Sequence, residues 1–420
     1  MATPLFSWLY LSCAFLLLGS SNLVLCQSSV PGLYIFGDSL IDPGNNNYLP
    51  QSGSRANFPY NGIDFPNKEP TGRFSNGKNA ADFLAEKVGL PLAPPYLSLS
   101  KKTNATVVVT GVSFASGGSG IFNETGISLV NNGPTTEILN ETDDENTVHN
   151  SFLHLIETIN KSILATTSIK ISYPKFTCLI HIQPLKVIPL TKQVEYYSLV
   201  HDQLVQQLGA AGAKTHLSKS LFVIIIGSND MFRYFTNDSK VSKQYTPQQY
   251  VELMAFTLKP LIKKMHELGA RKFVVSGVPV IGCSPLQRKL NNTECNAEPN
   301  YWSVKYNDAL QSLLTKLKSK LSDINYSYFH LYDAMNHVIE HHQTYGFAEI
   351  KAACCGNGYL NADAPCYDKL NATYCSIREN HLFWDAVHPT ETASGIFANI
   401  LYSGSGQFTT PMNVEQLVKA

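Results

Sequence analysis

Four short apolar runs punctuate the chain, each closed by a turn residue or by the start of another element. Leu33-Tyr34-Ile35-Phe36 stops at Gly37, Leu221 to Ile226 halts at Gly227, Lys272 to Ser276 halts at Gly277, and Tyr328 to Tyr332 is a fourth candidate. Apolar runs without strict alternation suit strands covered on both faces, which predicts a parallel sheet. Amphipathic segments lie between them. Thr246-Pro247-Gln248-Gln249 is a capping box with Pro at the first helical position, opening a helix to Leu268 that stops at Gly269, with Pro260 as a kink. Asn79 to Val88, Tyr301 to Leu321 and Glu391 to Tyr402 read as three more helices. Strands alternating with helices of this length predict an α/β fold, a three-layer α/β/α sandwich on a mostly parallel sheet. No internal repeat or low-complexity linker divides it, so residues 27–420 are expected to form one domain.

One stretch breaks the rhythm. From Ile127 to about Lys186 the chain carries an acidic, Asn-rich run (Asn140 to Asn146), the isolated Cys178, and no helical or strand period before Thr177. Sixty structureless residues inside a domain mark a lid, a disordered insertion or unspliced sequence.

The N-terminus points to secretion. Phe6 to Leu18 is apolar and ends at Gly19, and the first basic side chain is Arg55. The run is short for a membrane span, and Val24-Leu25-Cys26 suits cleavage before Gln27, so residues 1–26 read as a signal peptide. Asn104, Asn123, Asn140, Asn160, Asn237, Asn291, Asn325 and Asn371 head Asn-x-Ser/Thr triplets and are candidate glycosylation sites. Beyond residue 26 the cysteines are Cys178, Cys283, Cys295, Cys354, Cys355, Cys366 and Cys375. Their spacing is not that of a zinc site, so no metal is expected, and in an oxidising compartment the last six predict three disulfides. The simplest scheme joins Cys283 to Cys295 and cross-pairs the other four in one of two ways. With 32 basic and 32 acidic residues in 420, the chain has no charge footprint for nucleic acid or an anionic membrane.

Candidate chemistry sits where strands end. Gly37-Asp38-Ser39-Leu40 places a serine at the carboxyl end of the first strand, the edge at which open parallel sheets bind ligands. Taken alone, it reads more readily as a turn or helix cap than as a nucleophile. Trp384-Asp385-Ala386-Val387-His388-Pro389 holds an acid three residues before a histidine. On one turn such an acid reaches imidazole Nδ1 and leaves Nε2 free to accept a proton. Asn229, after the second strand, leaves the same sheet edge as Ser39 with a side-chain amide suited to an oxyanion. Ala115-Ser116-Gly117-Gly118-Ser119-Gly120 is a turn able to present a backbone N–H. It lacks the Lys-Ser/Thr ending of a phosphate loop, so no nucleotide cofactor is expected. No G-x-S-x-G elbow occurs, which argues against an ordinary α/β-hydrolase.

Together these blocks resemble the plant GDSL esterase/lipase family, within the SGNH hydrolases. The matching text is Phe36-Gly37-Asp38-Ser39-Leu40-Ile41-Asp42-Pro43-Gly44-Asn45-Asn46, Gly72-Arg73-Phe74-Ser75-Asn76-Gly77, Ala115 to Gly120, Gly227-Ser228-Asn229-Asp230, and Phe383 to Thr390. The resemblance implies a flavodoxin-like sheet, Ser39 as nucleophile, His388 as base and Asp385 as its orienter. It also implies oxyanion donors from Ser39 N–H, a glycine N–H (Gly118, with Gly117 as runner-up) and the Asn229 side chain. The function implied is a secreted serine carboxylester hydrolase of the apoplast or cell wall, acting on small or polymeric acyl or acetyl esters without a cofactor. Alternatives on the same residues are an acyltransferase, a polysaccharide O-acetylesterase, and a secreted binding protein with a decayed site. Two departures stand out. Ser113 occupies a position where the family commonly has Asn, and 127–186 interrupts the usual short passage to Ile188-Pro189-Leu190-Thr191-Lys192-Gln193-Val194. That insertion is expected to be a retained intron or mis-assigned exon.

Overall fold

The computed structural model describes residues 29–99, 106–127, 168–173, 176–181, 186–236 and 239–420. Four parallel strands lie side by side in chain order: β1 (Leu33–Gly37), β2 (Leu221–Ile225), β3 (Lys272–Ser276) and β4 (Asn325–Phe329). Pairing is continuous, from Leu33↔Leu221 to Gly37↔Ile225 and onward across β3 and β4. A short antiparallel β5 (Thr409–Thr410) closes the β4 edge. On the outer side of β1, Ile35 N–H donates to Val112 O and Phe114 N–H to Ile35 O, so residues 112–116 run alongside it.

The apolar runs are explained by the layers. Successive side chains of a strand point to opposite faces. Tyr34, Phe36, Phe222, Ile224, Phe273 and Val275 enter one core, and Leu33, Ile35, Leu221, Val223, Ile225 and Val274 enter the other. The first core is covered by α2 (Leu190–Lys219), α3 (Ser228–Tyr234), α4 (Pro247–Glu267) and α5 (Ala297–Lys320). The second is covered by α1 (Ala80–Lys87), α6 (Leu331–Glu340) and α7 (Glu391–Ser403). This is the expected three-layer sandwich. Each fully buried Leu or Phe contributes roughly 1.5–3 kcal/mol relative to exposure, so both faces must be apolar and period-two patterning vanishes.

Local signals act as read. Thr246 and Asn79 form capping boxes at the N-termini of α4 and α1, and Pro260 lies within α4. The fourth strand is a correction: it spans Asn325–Phe329, not Tyr328–Tyr332. His330 caps α6 instead, because Leu331, Ala334, Met335 and Val338 have helical spacing and bury one face.

The three expected disulfides form, and tertiary placement selects Cys354–Cys375 and Cys355–Cys366 beside Cys283–Cys295. Cys354, Cys355 and Cys366 pack with Trp384 in a small separate cluster against Tyr60 and Ile63. Within the 127–186 stretch, Ser168–Tyr173 pairs antiparallel with Phe176–His181, which includes Cys178. The flanks of that stretch meet: a Cβ on Gly126 would overlap Val187, Ile188 N–H donates to Ser116 Oγ at 2.9 Å, and Leu190 N–H donates to Gly120 O. Residues 1–26, expected to be a signal peptide, lie outside the described residues, as do Asn104, Asn140, Asn160 and Asn237. Asn123, Asn291 and Asn371 are exposed, and Asn325 is half-buried at the start of β4.

Candidate active site

Each of the four parallel strands leads into a residue at one rim. Ser39 follows β1, Asn229 follows β2, Pro279, Val280, Ile281 and Ser284 follow β3, and Met335 lies on the helix after β4. They line a cleft of about 410 Å³, open to solvent at its mouth, together with Asp38, Phe232, Val387 and His388. Phe232, Pro279, Val280, Ile281 and Met335 give it an apolar lining, and Ser39, Asn229 and His388 are among its polar groups.

Ser39 and His388, 349 residues apart in sequence, meet there: His388 Nε2 lies 2.7 Å from Ser39 Oγ. On the other side of the ring, Nδ1 is 2.8 Å from both oxygens of Asp385. With the proton on Nδ1 donated to Asp385, Nε2 accepts from the serine hydroxyl. The Asp-x-x-His turn is rigid for local reasons. Asp385 Oδ1 accepts from Val387 N–H and His388 N–H, Trp384 N–H donates to His388 O, and Thr390 caps α7 directly afterwards. Trp384 is in turn pinned by the disulfide cluster and by its indole N–H to Asn61 Oδ1 at 3.0 Å. Burial acts to raise the Asp385 pKa, but the His388 ring and these hydrogen bonds outweigh it and hold the carboxyl below its ordinary value.

The expected oxyanion donors differ in what already engages them. The N–H groups of Ser39 and Gly118 have no acceptor among the described residues, whereas Gly117 N–H is engaged by Asp42 Oδ2 at 2.9 Å. This engagement agrees with the expected order, Gly118 ahead of Gly117. Asn229 Nδ2 donates one hydrogen to Ser119 O at 2.9 Å, and its second hydrogen is left for another acceptor. Ser119 Oγ and Ser116 N–H both bond Gly37 O, so the 116–119 turn is tied to the end of β1.

Sequence reasoning missed the frame that holds this turn. Asp42-Pro43-Gly44-Asn45-Asn46 looks like a turn by composition, yet each acid or amide reaches across the fold. Asp42 accepts from Gly44, Asn45 and Gly117 N–H, Asn45 Nδ2 donates to Ser113 O and Ala115 O, and Asn46 Nδ2 donates to Gly117 O. Ser113, the family departure, is buried, and its hydroxyl has no partner among the described residues. The apolar wall at 279–281 was also missed, although a loop following a parallel strand is where it should have been sought. Burial pushes Asp38 up to about 7 and Asp42 and Asp230 up to about 6. Asp42 and Asp230 are each stabilised by several donors. The Asp38 carboxylate accepts through Oδ1 from Leu40 N–H at 3.0 Å, and its Oδ2 has no partner among the described residues. Among the described residues no group of three or more metal-ligating side chains occurs, and no helix is long and apolar enough to cross a membrane.

A mostly parallel sheet with Ser39, His388 and Asp385 hydrogen-bonded in sequence at its carboxyl rim is consistent with the SGNH hydrolase fold. Residues 33–401 match the model of the GDSL-like lipase/acylhydrolase family, and the chain belongs to that family of carboxylic ester hydrolases. It is 43% identical over 399 residues to the GDSL esterase/lipase At5g55050 of Arabidopsis thaliana, covering 93% of this chain and 90% of the relative. The GDSL esterase/lipases At3g50400 and LTL1 of the same plant are 34% and 30% identical, over 93% and 91% of this chain and 92% and 89% of their own lengths.

Proposed function

We propose that the protein is a secreted esterase that hydrolyses acyl or acetyl esters through an acyl-enzyme on Ser39. Ser39 Oγ attacks the ester carbonyl as His388 Nε2 takes its proton. The tetrahedral oxyanion is held by the N–H groups of Ser39 and Gly118 and by the free hydrogen of Asn229 Nδ2. His388 then protonates the leaving alcohol, and water repeats the sequence to release the acid. Asp385 keeps the imidazole in the required tautomer throughout.

The observation that carries this reading is the continuous relay from Ser39 Oγ to His388 Nε2 at 2.7 Å and from Nδ1 to Asp385 at 2.8 Å. The unengaged N–H groups of Ser39 and Gly118 support it. Secretion is supported by three disulfides and by the apolar leader. The test pairs Ser39→Ala with the wild-type chain on a chain-length series of p-nitrophenyl esters and on acetylated xylan. Wild type should turn over and Ser39→Ala should fall to background. Unchanged turnover in Ser39→Ala would refute the nucleophile.

A further inference from the structure

The Gly72-Arg73-Phe74-Ser75-Asn76-Gly77 block takes no part in the relay or in the proposed oxyanion donors, yet it runs directly behind them. The Phe74 ring lies against the His388 imidazole, with centroids 5.0 Å apart and planes inclined by 36°. Its other contact is the oxyanion turn: a Cβ on Gly117 would overlap the Phe74 ring, so only glycine lets the ring seat there. Phe74 does not line the substrate cleft. It therefore packs against the base and the turn at once.

The ring is fixed on both sides of its own backbone. Arg73 makes a bidentate ion pair with Asp82 of α1, at 2.7 Å for each bond, and both side chains are buried. Arg73 Nη1 also donates to Thr71 Oγ1 and Pro43 O. On the far side, Asn76 Oδ1 accepts from Glu391 N–H at 2.8 Å, and Lys78 N–H donates to Glu391 Oε1 at 3.0 Å. Glu391 is the first residue of α7, three positions after His388. The segment thus straps the histidine-bearing turn to the first helix, with Phe74 at its centre.

We propose that Phe74 is a positioning residue for the reaction: wedged between the His388 imidazole and Gly117, it holds the base toward Ser39 and the oxyanion turn in place at the same time. This rests on the triad reading above. Displacing a reacting group by about 1 Å can cost roughly 10²-fold in rate, so Phe74→Ala should lose about 10–100-fold in kcat on p-nitrophenyl acetate. Its KM should stay near that of wild type, because the ring does not touch the cleft. The rate of Ser39 labelling by a fluorophosphonate should fall in parallel with kcat. Phe74→Tyr, which keeps the flat ring, should restore both.

Phe83 serves as the packing control. It is a half-buried ring of α1 against Gly395 of α7, outside the ring contact of His388, and Phe83→Ala should lower thermal stability while leaving kcat intact. A folded Phe74→Ala with wild-type kcat and labelling rate overturns the proposal. So does a kcat loss in Phe83→Ala equal to that in Phe74→Ala at matched stability. Should Phe74→Ala fail to fold, Gly117→Ala, which drives a methyl into the ring, supplies the same readouts: kcat and labelling near wild type count against the proposal, and a parallel loss at unchanged KM supports it. If wild type itself is not labelled at Ser39, the triad reading fails first. If wild type is labelled and Phe74→Ala labels as fast, only the present inference fails.

Discussion

Asp38 offers the sharpest quantitative test of the site, through Asp38→Asn. Its carboxyl is buried beside the nucleophile with one oxygen bonded to Leu40 N–H and the other without a partner among the described residues. Burial pushes it up to about 7, with Asp230 and Asp42 adding to the rise and the Leu40 bond and His388 opposing it. In the unfolded chain the same group titrates near 4. Below about pH 4 both states hold the proton and the group contributes nothing to the pH dependence. Between about 4 and 7 the folded state binds more protons than the unfolded one, so stability falls as pH rises, and above 7 the full penalty remains. About three pKa units correspond to roughly 4 kcal/mol. Asparagine keeps the Leu40 acceptor and removes the charge, but places an amide N–H where the lone oxygen stood, at a cost of about 1–3 kcal/mol. Asp38→Asn should therefore be about 1–3 kcal/mol more stable than wild type at pH 8 and equally or less stable at pH 4. Differential thermal or urea denaturation of the two proteins at pH 4, 5, 6, 7 and 8 reads Asp38 together with its coupling to Asp42 and Asp230. A stability difference that stays flat across that range would sink the reasoning.

Three further outcomes are expected. Asn229→Ala should lower kcat by about 10²–10³ with little change in fold, the loss found for a single oxyanion donor, and steady-state kinetics with a circular-dichroism control checks it. Arg73→Met should destabilise by about 3–5 kcal/mol, because it strands the buried Asp82 carboxylate without its counter-charge; a chemical-denaturation midpoint close to wild type would contradict the assigned ion pair. Replacing residues 128–185 by a few Gly and Ser should leave the fold intact and add about 2 kcal/mol of stability by shortening the closed loop, since the flanks at Gly126 and Val187 already touch. Loss of folding in that deletion would mean that the stretch is an integral part of the domain.

Much of the fold was legible because its signals are local. Thr246 and Asn79 cap their helices with groups three residues away, and the strands of a sheet covered on both faces must be apolar throughout. The fourth strand was misplaced because Tyr328 to Tyr332 is apolar enough for either element. Only the packing of Leu331, Ala334, Met335 and Val338 into the second core settles that segment as helix. Asp385 and His388 could be paired from sequence because three residues of one turn separate them.

The amino-acid order by itself determined which side chains were available for chemistry, the strand and helix alternation that orders them, and the six cysteines that close the C-terminal third. Folding alone decided what each of them meets. The choice of Cys354–Cys375 and Cys355–Cys366, the engagement of Gly117 N–H by Asp42, the seat of Phe74 on His388 and the stranded oxygen of Asp38 all join positions that no local period connects. Hydrogen bonds and ring contacts act over a few ångströms of space, whereas a sequence pattern reports only distance along the chain. Where the two coincide, as in the Asp385–His388 turn, chemistry can be read directly. Where they diverge, as between Ser39 and His388, it emerges only when the sheet brings its strand ends to one rim.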